Sequence, residues 1–407
     1  MKMKRYKLAV VGAGAAGLMA ACQAGKALGP EAVALLEGNP KPGKKLLATG
    51  NGRCNLTNLH ISSARYHGDV SLAKPLLSAC PPERVLKAFS ALGLHTRADG
   101  EGRVYPYGLQ AAAVLQALRG SCEEGKASLF AGFPVTAIAP RQGGFFLQSP
   151  EGAELWAEKC LLACGGAASP RHSCQEGGYA LAKRLGHSLT PLRPGLTPLA
   201  CPKKLTSPLK GMRCKARAAL WIQGREVYAE SGEVLFGEGS LSGICIFNLS
   251  LRLSAGRGQV ALDLLEGMEE RALFAYLENL RSGRPRLPTR EIFSGLVNLR
   301  IGQQIAKNLG FTGEKQISAL SREDLRRAAR AVKDWRLPVS PWEGWDSAQI
   351  TAGGVPLSEV NMKTMESRRQ PGLYLAGELL NLHGDCGGYN LHWAWATGMT
   401  AGLAAGR

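Results

Sequence analysis

The chain opens with a pattern typical of a strand, a turn, a helix and a second strand. Residues 6–11 (YKLAVV) are mostly apolar, a glycine-rich turn follows, and an alanine-rich stretch starts at about Ala15. Residues 32–38 (AVALLEG) form the next apolar run. Fully apolar strands separated by a helix are typical of a parallel βαβ unit. We therefore predict such a unit at the amino terminus.

Helical and strand-like periodicities then follow one another. Residues 81–94 (PPERVLKAFSALGL) and 109–125 (LQAAAVLQALRGSCEEG) have apolar residues at helical spacing. Residues 133–166 contain several short apolar runs separated by glycine and proline, and the last run is wholly apolar. This pattern predicts two helices and then several strands connected by hairpins.

The sequence pattern changes after Gly186. Prolines 191, 194 and 198 lead into β-rich sequence, helical patterns run from about Glu269 to Val332, and short strands resume near residue 346 before a final helix. We predict an α/β fold in which one domain, residues 1–190 and 346–407, is interrupted by an inserted domain, residues 191–345. Within the insertion, residues 191–265 are predicted to be β-rich and residues 266–335 to be helical.

Composition and charge narrow the functional classes. The 407 residues contain 11 cysteines without zinc-type spacing, so we expect reduced thiols, no metal site and a cytoplasmic location. No apolar run reaches the roughly 18 residues that a membrane span needs. The net charge of +18 is dispersed along the chain, and no basic block is interleaved with aromatic residues. This disfavours a nucleic-acid partner and leaves an acidic substrate or solubility alone as explanations of the charge; a small-molecule substrate is the expected partner, whereas the oligomeric state is not predicted.

A G-x-G-x-x-G motif lies between the first predicted strand and helix. Gly12 permits the tight turn, Gly14 allows close approach of a pyrophosphate, and Gly17 allows the helix to pack on the strand. Glu37 ends the second strand, where a carboxylate accepts hydrogen bonds from a ribose diol. A purely structural βαβ turn is the alternative. The predicted contacts of this dinucleotide site are Gly12, Gly14, Ala15, Ala16, Gly17, Glu37 and Gly38.

Two further glycine sites follow strands later in the chain. An apolar strand leads into Gly165 and Gly166, and another ends at Gly377. Gly387 and Gly388 precede the last helix. A second helix start suits a long ligand with polar groups at both ends. Because the G-x-G-x-x-G motif occurs once, a second resident dinucleotide is not indicated.

The segment GKKLLATGNGRCNLTN, residues 43–58, admits several interpretations. It suits a solvated loop, a metal knuckle, a nucleophilic cysteine or a cradle for a large charged ligand. No histidine lies near Cys54 in sequence, so a small residue packed beneath a ligand is favoured over a nucleophile. Lys44, Lys45 and Arg53 supply positive charge, and Asn51 tolerates tight turns.

Six segments together resemble one protein family. They are VVGAGAAGL, GKKLLATGNGRCNLTN, LACGGAASP, GEVLFGEGSLSG, AQITAGGV with EVNMKTMES, and GLYLAGELLNLHGDCGGYNLHWAWATG. The sequence is similar to the bacterial FAD-binding flavoproteins called BaiN-like or the aminoacetone oxidase family. The resemblance implies a discontinuous Rossmann-like FAD-binding domain with an inserted β-barrel-like and helical domain. It also implies a more distant relation to flavoproteins of the succinate dehydrogenase and fumarate reductase type.

The resemblance also implies the cofactor contacts outside the first motif. It implies that residues 49–55 enclose the pyrophosphate and flavin side of FAD, and that Glu378 binds the ribityl chain. Val135 is expected in a strand whose edge meets adenine. The expected contacts are Lys44, Lys45, Thr49, Gly50, Asn51, Gly52, Arg53, Cys54, Asn55, Val135, Ala163, Gly165, Gly166, Gly377, Glu378, Asp385, Gly387, Gly388, Tyr389, Asn390 and Leu391.

The activity implied is that of an FAD-dependent oxidoreductase. Family members reduce the Δ4,6 bonds of 3-dehydro-bile acids, which implies reduction of a C=C bond conjugated to a ketone in an acidic, steroid-like substrate. NAD(P)H would be a transient reductant. The alternatives are an amine oxidase that uses oxygen, a flavoprotein that acts on RNA, and a redox sensor without catalysis.

Candidate proton donors flank the predicted flavin loop. Tyr389, His383 and His392 are the catalytic candidates, because a phenol or imidazole beside a flavin can transfer a proton. His383 stands where relatives often carry aspartate. In the insertion, residues 237–247 (GEGSLSGICIF) are predicted to face the flavin, with Ser240 or Ser242 binding a substrate carbonyl. A glycine turn in the barrel core is the alternative there.

Overall fold

The computed structural model describes residues 4–141, 143–171, 177–253, 255–311, 313 and 315–407. The chain divides into two compact units, one formed by Met1–Gly195 with Gly344–Arg407 and the other by Leu196–Glu343. The first unit is thus discontinuous in sequence, and the second is inserted between its two parts.

Helices and strands alternate along both units. The first part of the first unit contains β1 (Arg5–Val11), α1 (Ala15–Leu28), β2 (Val33–Glu37), α2 (Lys44–Ala48), β3 (Thr57–Asn58), β4 (Tyr66–Gly68), α3 (Val70–Ala79), α4 (Pro82–Ser90), β5 (Thr96–Ala98), β6 (Arg103–Pro106), α5 (Ala111–Glu124), β7 (Ser128–Ala131), β8 (Ala137–Arg141), β9 (Gly144–Gln148), β10 (Glu154–Leu162), α6 (Gly177–Arg184) and β11 (Arg193–Gly195). The second unit contains β12 (Leu199–Ala200), α7 (Lys203–Thr206), β13 (Arg213–Ile222), β14 (Arg225–Gly237), β15 (Ser240–Ser242), α8 (Ile244–Arg252), β16 (Gly258–Asp263), α9 (Glu270–Gly283), α10 (Leu299–Asn308), α11 (Arg322–Lys333) and β17 (Trp335–Pro341). The first unit resumes with β18 (Ile350–Ala352), β19 (Leu373–Leu375), β20 (Leu382–Gly384) and α12 (Tyr389–Ala405).

The first unit is built on a mixed sheet whose centre is parallel. β7, β2, β1 and β10 are parallel neighbours in that order. The first residues of β10 pair antiparallel with β9, and its last residues, Cys160 to Leu162, pair parallel with β19. The carboxyl ends of β1, β10 and β19 therefore lie at one edge of the sheet, each followed by one of the glycine sites. Ligands bind at this edge in open α/β sheets.

α1 and α12 pack directly against each other through small residues. A Cβ atom on Gly398 would lie 2.5 Å from the carbonyl oxygen of Ala16, and one on Gly402 would lie 2.4 Å from that of Ala20. The contacts pair Ala16 with Gly398 and Ala20 with Gly402, so residue numbers rise in the same direction along both helices and the helices run parallel. α12 starts nine residues before Gly398 and α1 one residue before Ala16, so α12 extends about 12 Å further at its amino end, at 1.5 Å per residue.

The second unit contains a closed barrel of six strands in the order β12, β15, β14, β13, β16 and β17. α9, α10 and α11 supply Leu273, Ile305 and Leu325 to its core. The prediction of an α/β fold interrupted by a barrel-like and helical insertion is confirmed.

The segment predicted to be β-rich, residues 191–265, contains β11 to β16 and also the helix α8, in which Cys245, Ile246 and Leu249 share one buried face. One local prediction needs correction. Val135 lies in the connection between β7 and β8 and not in a strand. Among the residues that the structure describes, no helix combines the length and apolarity needed to cross a membrane.

Candidate cofactor and active site

The turn between β1 and α1 has the close approaches expected of a dinucleotide site. Gly12 has φ +104°, and a Cβ atom there would lie 2.5 Å from the carbonyl oxygen of Ala163. A Cβ atom on Gly17 would overlap the carbonyl oxygen of Gly12. At Gly14 a Cβ atom would meet nothing within 4 Å, and α1 has neither a side-chain cap nor an acidic residue in its first turn. The start of α1 thus has no side-chain partner for its first N–H groups, and an anion is favoured at such a helix start.

Glu37 is fixed beside this turn at the end of β2. Its Oε2 accepts the backbone N–H of Ala13 at 2.9 Å, and its Oε1 accepts the backbone and side-chain N–H groups of Asn39, both at 2.8 Å. The residue is 7% exposed. Carboxylate oxygens have two lone pairs each, so Oε2 retains one lone pair that can accept a ribose hydroxyl. Val135 lies two residues beyond Phe133, whose N–H donates to the carbonyl oxygen of Glu37.

The loop after α2 is wound by left-handed residues. Gly50, Asn51, Gly52 and Cys54 have φ of 57°, 54°, 82° and 56°. The carbonyl oxygen of Thr49 accepts the N–H groups of Gly52 and Cys54. Such conformations are costly outside glycine and asparagine and are concentrated at functional sites.

The thiol of Cys54 is enclosed by this loop. The residue has no exposed surface, and burial raises the pKa of the thiol to about 12. The thiol is therefore protonated at neutral pH and is not a nucleophile. This geometry favours the interpretation as a small packed residue.

Lys45 and Glu378 connect three of the predicted segments. Lys45 Nζ lies 2.7 Å from Glu378 Oε2, and Glu378 Oε1 accepts the N–H of Thr351 at 2.8 Å. A Cβ atom on Gly166 would lie 2.5 Å from Glu378 Oε1 and 2.4 Å from Thr351 Oγ1. The structure thus brings together α2, the glycines after β10 and the acid after β19. Sequence reasoning missed Thr351, whose hydroxyl accepts the N–H groups of residues 167 and 168.

α12 provides a second helix start without a side-chain cap. Gly387 and Gly388 have φ of 125° and 102°, and no side chain caps the helix. A Cβ atom on Gly388 would lie 2.7 Å from Asn55 Oδ1, a buried atom without a hydrogen-bond partner among the described residues. Two parallel, uncapped helix starts about 12 Å apart along their axes fit a ligand that has polar groups at both ends, as FAD has.

The three sequence-predicted proton donors are all buried. His392 has no exposed surface; its Nε2–H donates to the carbonyl oxygen of Cys80 at 2.9 Å, and its Nδ1 accepts the hydroxyl of Thr57 at 2.8 Å. Burial lowers the pKa of His392 to about 4. Tyr389 is 5% exposed and its ring stands edge-on to that of Tyr66. This geometry favours packing roles for His392 and Tyr389.

His383 belongs to a polar cluster formed by the pairing of β20 with β4. It lies opposite His67, and the two rings stack at 5.5 Å. Burial and the positive charges of His67 and Arg193 lower the pKa of His383 to about 3. Its Nδ1 is buried without a partner among the described residues.

Asp385 joins this cluster. Its carboxylate is completely buried and lies 2.9 Å from His67 Nε2 and 3.4 Å from an Arg65 nitrogen. The carboxylate thus pairs with side chains of β4 and its flank. Sequence reasoning missed His67, because only the register of β4 on β20 brings it near Asp385.

The other predicted contacts lie around the same edge of the first unit. Arg53 donates to the carbonyl oxygen of Gly50 and lies over the ring of Tyr105. Asn390 holds the backbone of Gly384 through both amide atoms. The remaining predicted contacts, which lie in turns or at element ends, are Ala15, Ala16, Gly38, Lys44, Gly165, Gly377 and Leu391.

The serines predicted to bind substrate lie in the barrel of the second unit. Ser240 and Ser242 are the ends of β15, and the Ser242 hydroxyl donates to the carbonyl oxygen of Leu235 at 3.4 Å. A Cβ atom on Gly243 would overlap the carbonyl oxygen of Glu233. The backbone packing of the barrel therefore requires glycine at position 243. The role of the two serines in substrate binding stays a prediction.

Comparison with known proteins places this geometry in a family. Over 406 residues, 98% of each chain, the protein is 36% identical to the 3-dehydro-bile acid delta(4,6)-reductase of Clostridium scindens. It is 28% identical to the ribosomal RNA dihydrouridine synthase of Escherichia coli, over 97% of this chain and 96% of the relative.

Solved flavoenzymes share the fold. The 3-ketosteroid-delta4-(5alpha)-dehydrogenase of Rhodococcus jostii has a TM-score of 0.51 at 15% identity, covering 99% of this chain and 97% of that one. A flavocytochrome c3 fumarate reductase has the same score and identity, covering 99% and 78%. Residues 6–404 match the family described as HI0933-like protein Rossmann domain. The chain belongs to this HI0933-like family, whose Rossmann-like domain and flavoenzyme fold support FAD as its cofactor.

Proposed function

We propose that this protein is an FAD-dependent reductase that saturates a C=C bond conjugated to a carbonyl group, with NAD(P)H as the reductant. The observation that carries the proposal is the 36% identity to a bile acid delta(4,6)-reductase over 98% of both chains. The name of that relative describes the reduction of conjugated double bonds. The two uncapped helix starts and the Lys45–Glu378 pair support a bound FAD.

The residues of the first unit divide the binding task. The N–H groups at the start of α1 bind the pyrophosphate, and Glu37 accepts hydrogen bonds from the adenosine ribose. Lys45 and Glu378 hold the ribityl and flavin side together with the loop of Gly50 to Asn55. FAD, when bound, supplies the two-electron hydride chemistry, whereas the protein supplies binding and orientation.

A steroid-like enone is the first candidate substrate. The relative with 36% identity acts on a 3-dehydro-bile acid, and the chain covers it almost completely. The net charge of +18 suits the attraction of an acidic substrate.

Uridine in RNA is the second candidate. A relative with 28% identity over 97% of this chain is a ribosomal RNA dihydrouridine synthase. Uracil also contains a C=C bond conjugated to a carbonyl, so the chemical step is the same.

An anaerobic flavin assay tests the proposal. The holoprotein is mixed with NADH or NADPH, and bleaching of the flavin is followed by absorbance. The reduced protein is then exposed separately to 4-androstene-3,17-dione, to a 3-dehydro-bile acid with a delta(4,6) system and to a ribosomal RNA transcript. In a separate experiment, the oxidised protein is mixed with primary amines. We expect reoxidation by one of the two enones or by the RNA, with the saturated product found by mass spectrometry. Flavin reduction by amines, without reoxidation by any conjugated alkene, would support an oxidase and contradict the proposal.

A further inference from the structure

His67 and Asp385 form an oriented histidine–carboxylate pair at the start of α12. His67 Nε2 lies 2.9 Å from Asp385 Oδ1, and the Asp385 side chain has no exposed surface. The backbone N–H of Asp385 donates to the carbonyl oxygen of Arg65, and the ladder of β20 on β4 fixes both backbones. Since the carboxylate can only accept, the Nε2 position carries the proton and the orientation of the ring is set.

His67 is more open to solvent than the three donors that the sequence suggested. Its side chain is 25% exposed, whereas Tyr389, His383 and His392 are 5%, 8% and 0% exposed. His67 Nδ1 makes no hydrogen bond within the described part of the chain. The ring thus has one nitrogen held by a buried carboxylate and the other available, which is the arrangement of a general acid–base.

The groups around His67 favour a single proton-carrying role for it. Asp385 holds the Nε2 position of His67, and Arg65 neutralises the second oxygen of Asp385. The ring of His383 stacks on the ring of His67. Burial and the nearby positive charges keep His383 neutral, since its pKa is lowered to about 3. His383 therefore does not compete for the proton.

We propose that His67 is the general acid of the proposed reduction and that Asp385 is its positioning residue. This inference rests on the proposed function. FAD, when bound and reduced, would supply the hydride that the β-carbon gains; the π bond of the substrate C=C group would break and its electron pair would move towards the carbonyl. The α-carbon then takes the Nδ1 proton of a His67 ring that is protonated on both nitrogens, so two C–H bonds form and the carbonyl is retained. His67 is left neutral with its Nε2–H on Asp385, and solvent restores the proton.

The test separates the two half-reactions in the holoprotein. In His67→Gln we expect reduction of the flavin by NAD(P)H to stay within about twofold of wild type. Reoxidation by 4-androstene-3,17-dione, or by a uridine-containing ribosomal RNA transcript, should slow by about 100-fold or more, the usual contribution of a general acid. The dependence of the reoxidation rate on pH should also flatten. His95→Gln, which changes an exposed histidine, is the matched control.

A second readout does not depend on activity. In the holoprotein with 15N-labelled histidine, long-range 1H–15N spectra should show the proton of neutral His67 on Nε2, and Asp385→Asn should abolish that preference. Wild-type rates in His67→Gln with either substrate, or a His67 ring without tautomer preference, would overturn the inference. A wild-type protein that neither substrate reoxidises would instead overturn the proposed function, and the two failures are thus distinguishable.

Discussion

Burial sets the chemistry of His392 at the scale of the single residue. Both ring nitrogens are engaged, one by a backbone carbonyl and one by the hydroxyl of Thr57, and no part of the ring is exposed. A histidine held neutral in this way stabilises the fold only while it stays neutral. Its function follows from its surroundings and not from its position beside the predicted flavin loop.

We therefore predict that His392 contributes to acid sensitivity. Burial lowers its pKa to about 4 in the folded state, below the ordinary value of 6.5. The unfolded chain then binds more protons in this window, so the free energy of unfolding is fully retained above pH 6.5 and falls by roughly 3 kcal/mol as the pH falls to about 4. Urea unfolding at several pH values measures this, and His392→Gln should show a smaller fall. An equal fall in His392→Gln, with exposed His95→Gln as control, would contradict the prediction.

Substitution of Glu37 tests the predicted contact with the ribose of FAD. Glu37→Ala should weaken FAD binding by about 1–3 kcal/mol, the cost of losing a charged hydrogen-bond acceptor. Titration of the apoprotein with FAD measures the change. Glu151→Ala, at an exposed turn, is the control. An unchanged affinity would mean that the acid does not contact the ribose.

The pair of parallel helices α1 and α12 determines the site at the scale of elements. Gly398 and Gly402 let α12 lie on the backbone of α1, so both helix starts point towards the same edge of the sheet. The β4–β20 ladder and the loop after α2 complete that edge. Residues separated by more than 300 positions, such as Lys45 and Glu378, meet there.

Adding a methyl group where α12 packs on α1 should lower both the stability of the protein and its affinity for the cofactor. In Gly398→Ala the new Cβ atom would lie 2.5 Å from the carbonyl oxygen of Ala16, so the helices must separate. We expect the free energy of unfolding to fall by about 1–3 kcal/mol, as for overpacked cores, and FAD to be retained less tightly. Gly120→Ala in α5, where a Cβ atom meets nothing within 4 Å, is the matched control. That change should stabilise the protein by up to about 1 kcal/mol, and a similar gain in Gly398→Ala would contradict the packing described.

The whole molecule combines a flavoenzyme fold with a strong positive charge. The first unit holds the predicted cofactor contacts, and the second is a barrel with helices that carries none of the glycine motifs. The net charge of +18 affects which partners the protein attracts and does not determine its fold. It leaves an acidic steroid and an RNA as the two candidate partners, which differ in how strongly salt should weaken binding.

We predict that the purified protein is yellow and releases FAD, and not FMN, on denaturation. The uncapped start of α1 and the fixed carboxylate of Glu37 suit an adenosine diphosphate group, which FMN lacks. Chromatography of the released flavin decides between the two. FMN as the sole flavin would contradict the assignment of the first glycine motif.

Local patterns in the sequence were sufficient for the elements and for the cofactor class. Apolar runs predicted β1 and β2, because strands at the centre of a parallel sheet are buried on both faces, and helical spacing of apolar residues predicted α5. The G-x-G-x-x-G spacing indicated a dinucleotide turn, because only glycine fits where Gly12 and Gly17 meet neighbouring backbone. The strand expected at Val135 from the family resemblance is a connection between β7 and β8.

The tertiary structure alone decided which side chains can react. Nothing local distinguishes the buried His392 from the partly exposed His67, because exposure depends on which elements cover each ring. The Lys45–Glu378 pair and the His67–Asp385 pair each join distant parts of the chain through strand register and helix packing. The sequence by itself thus determined the fold class and the cofactor motif, which depend on local spacing. The burial and pairing that select a proton donor are long-range properties, and only the folded chain has them.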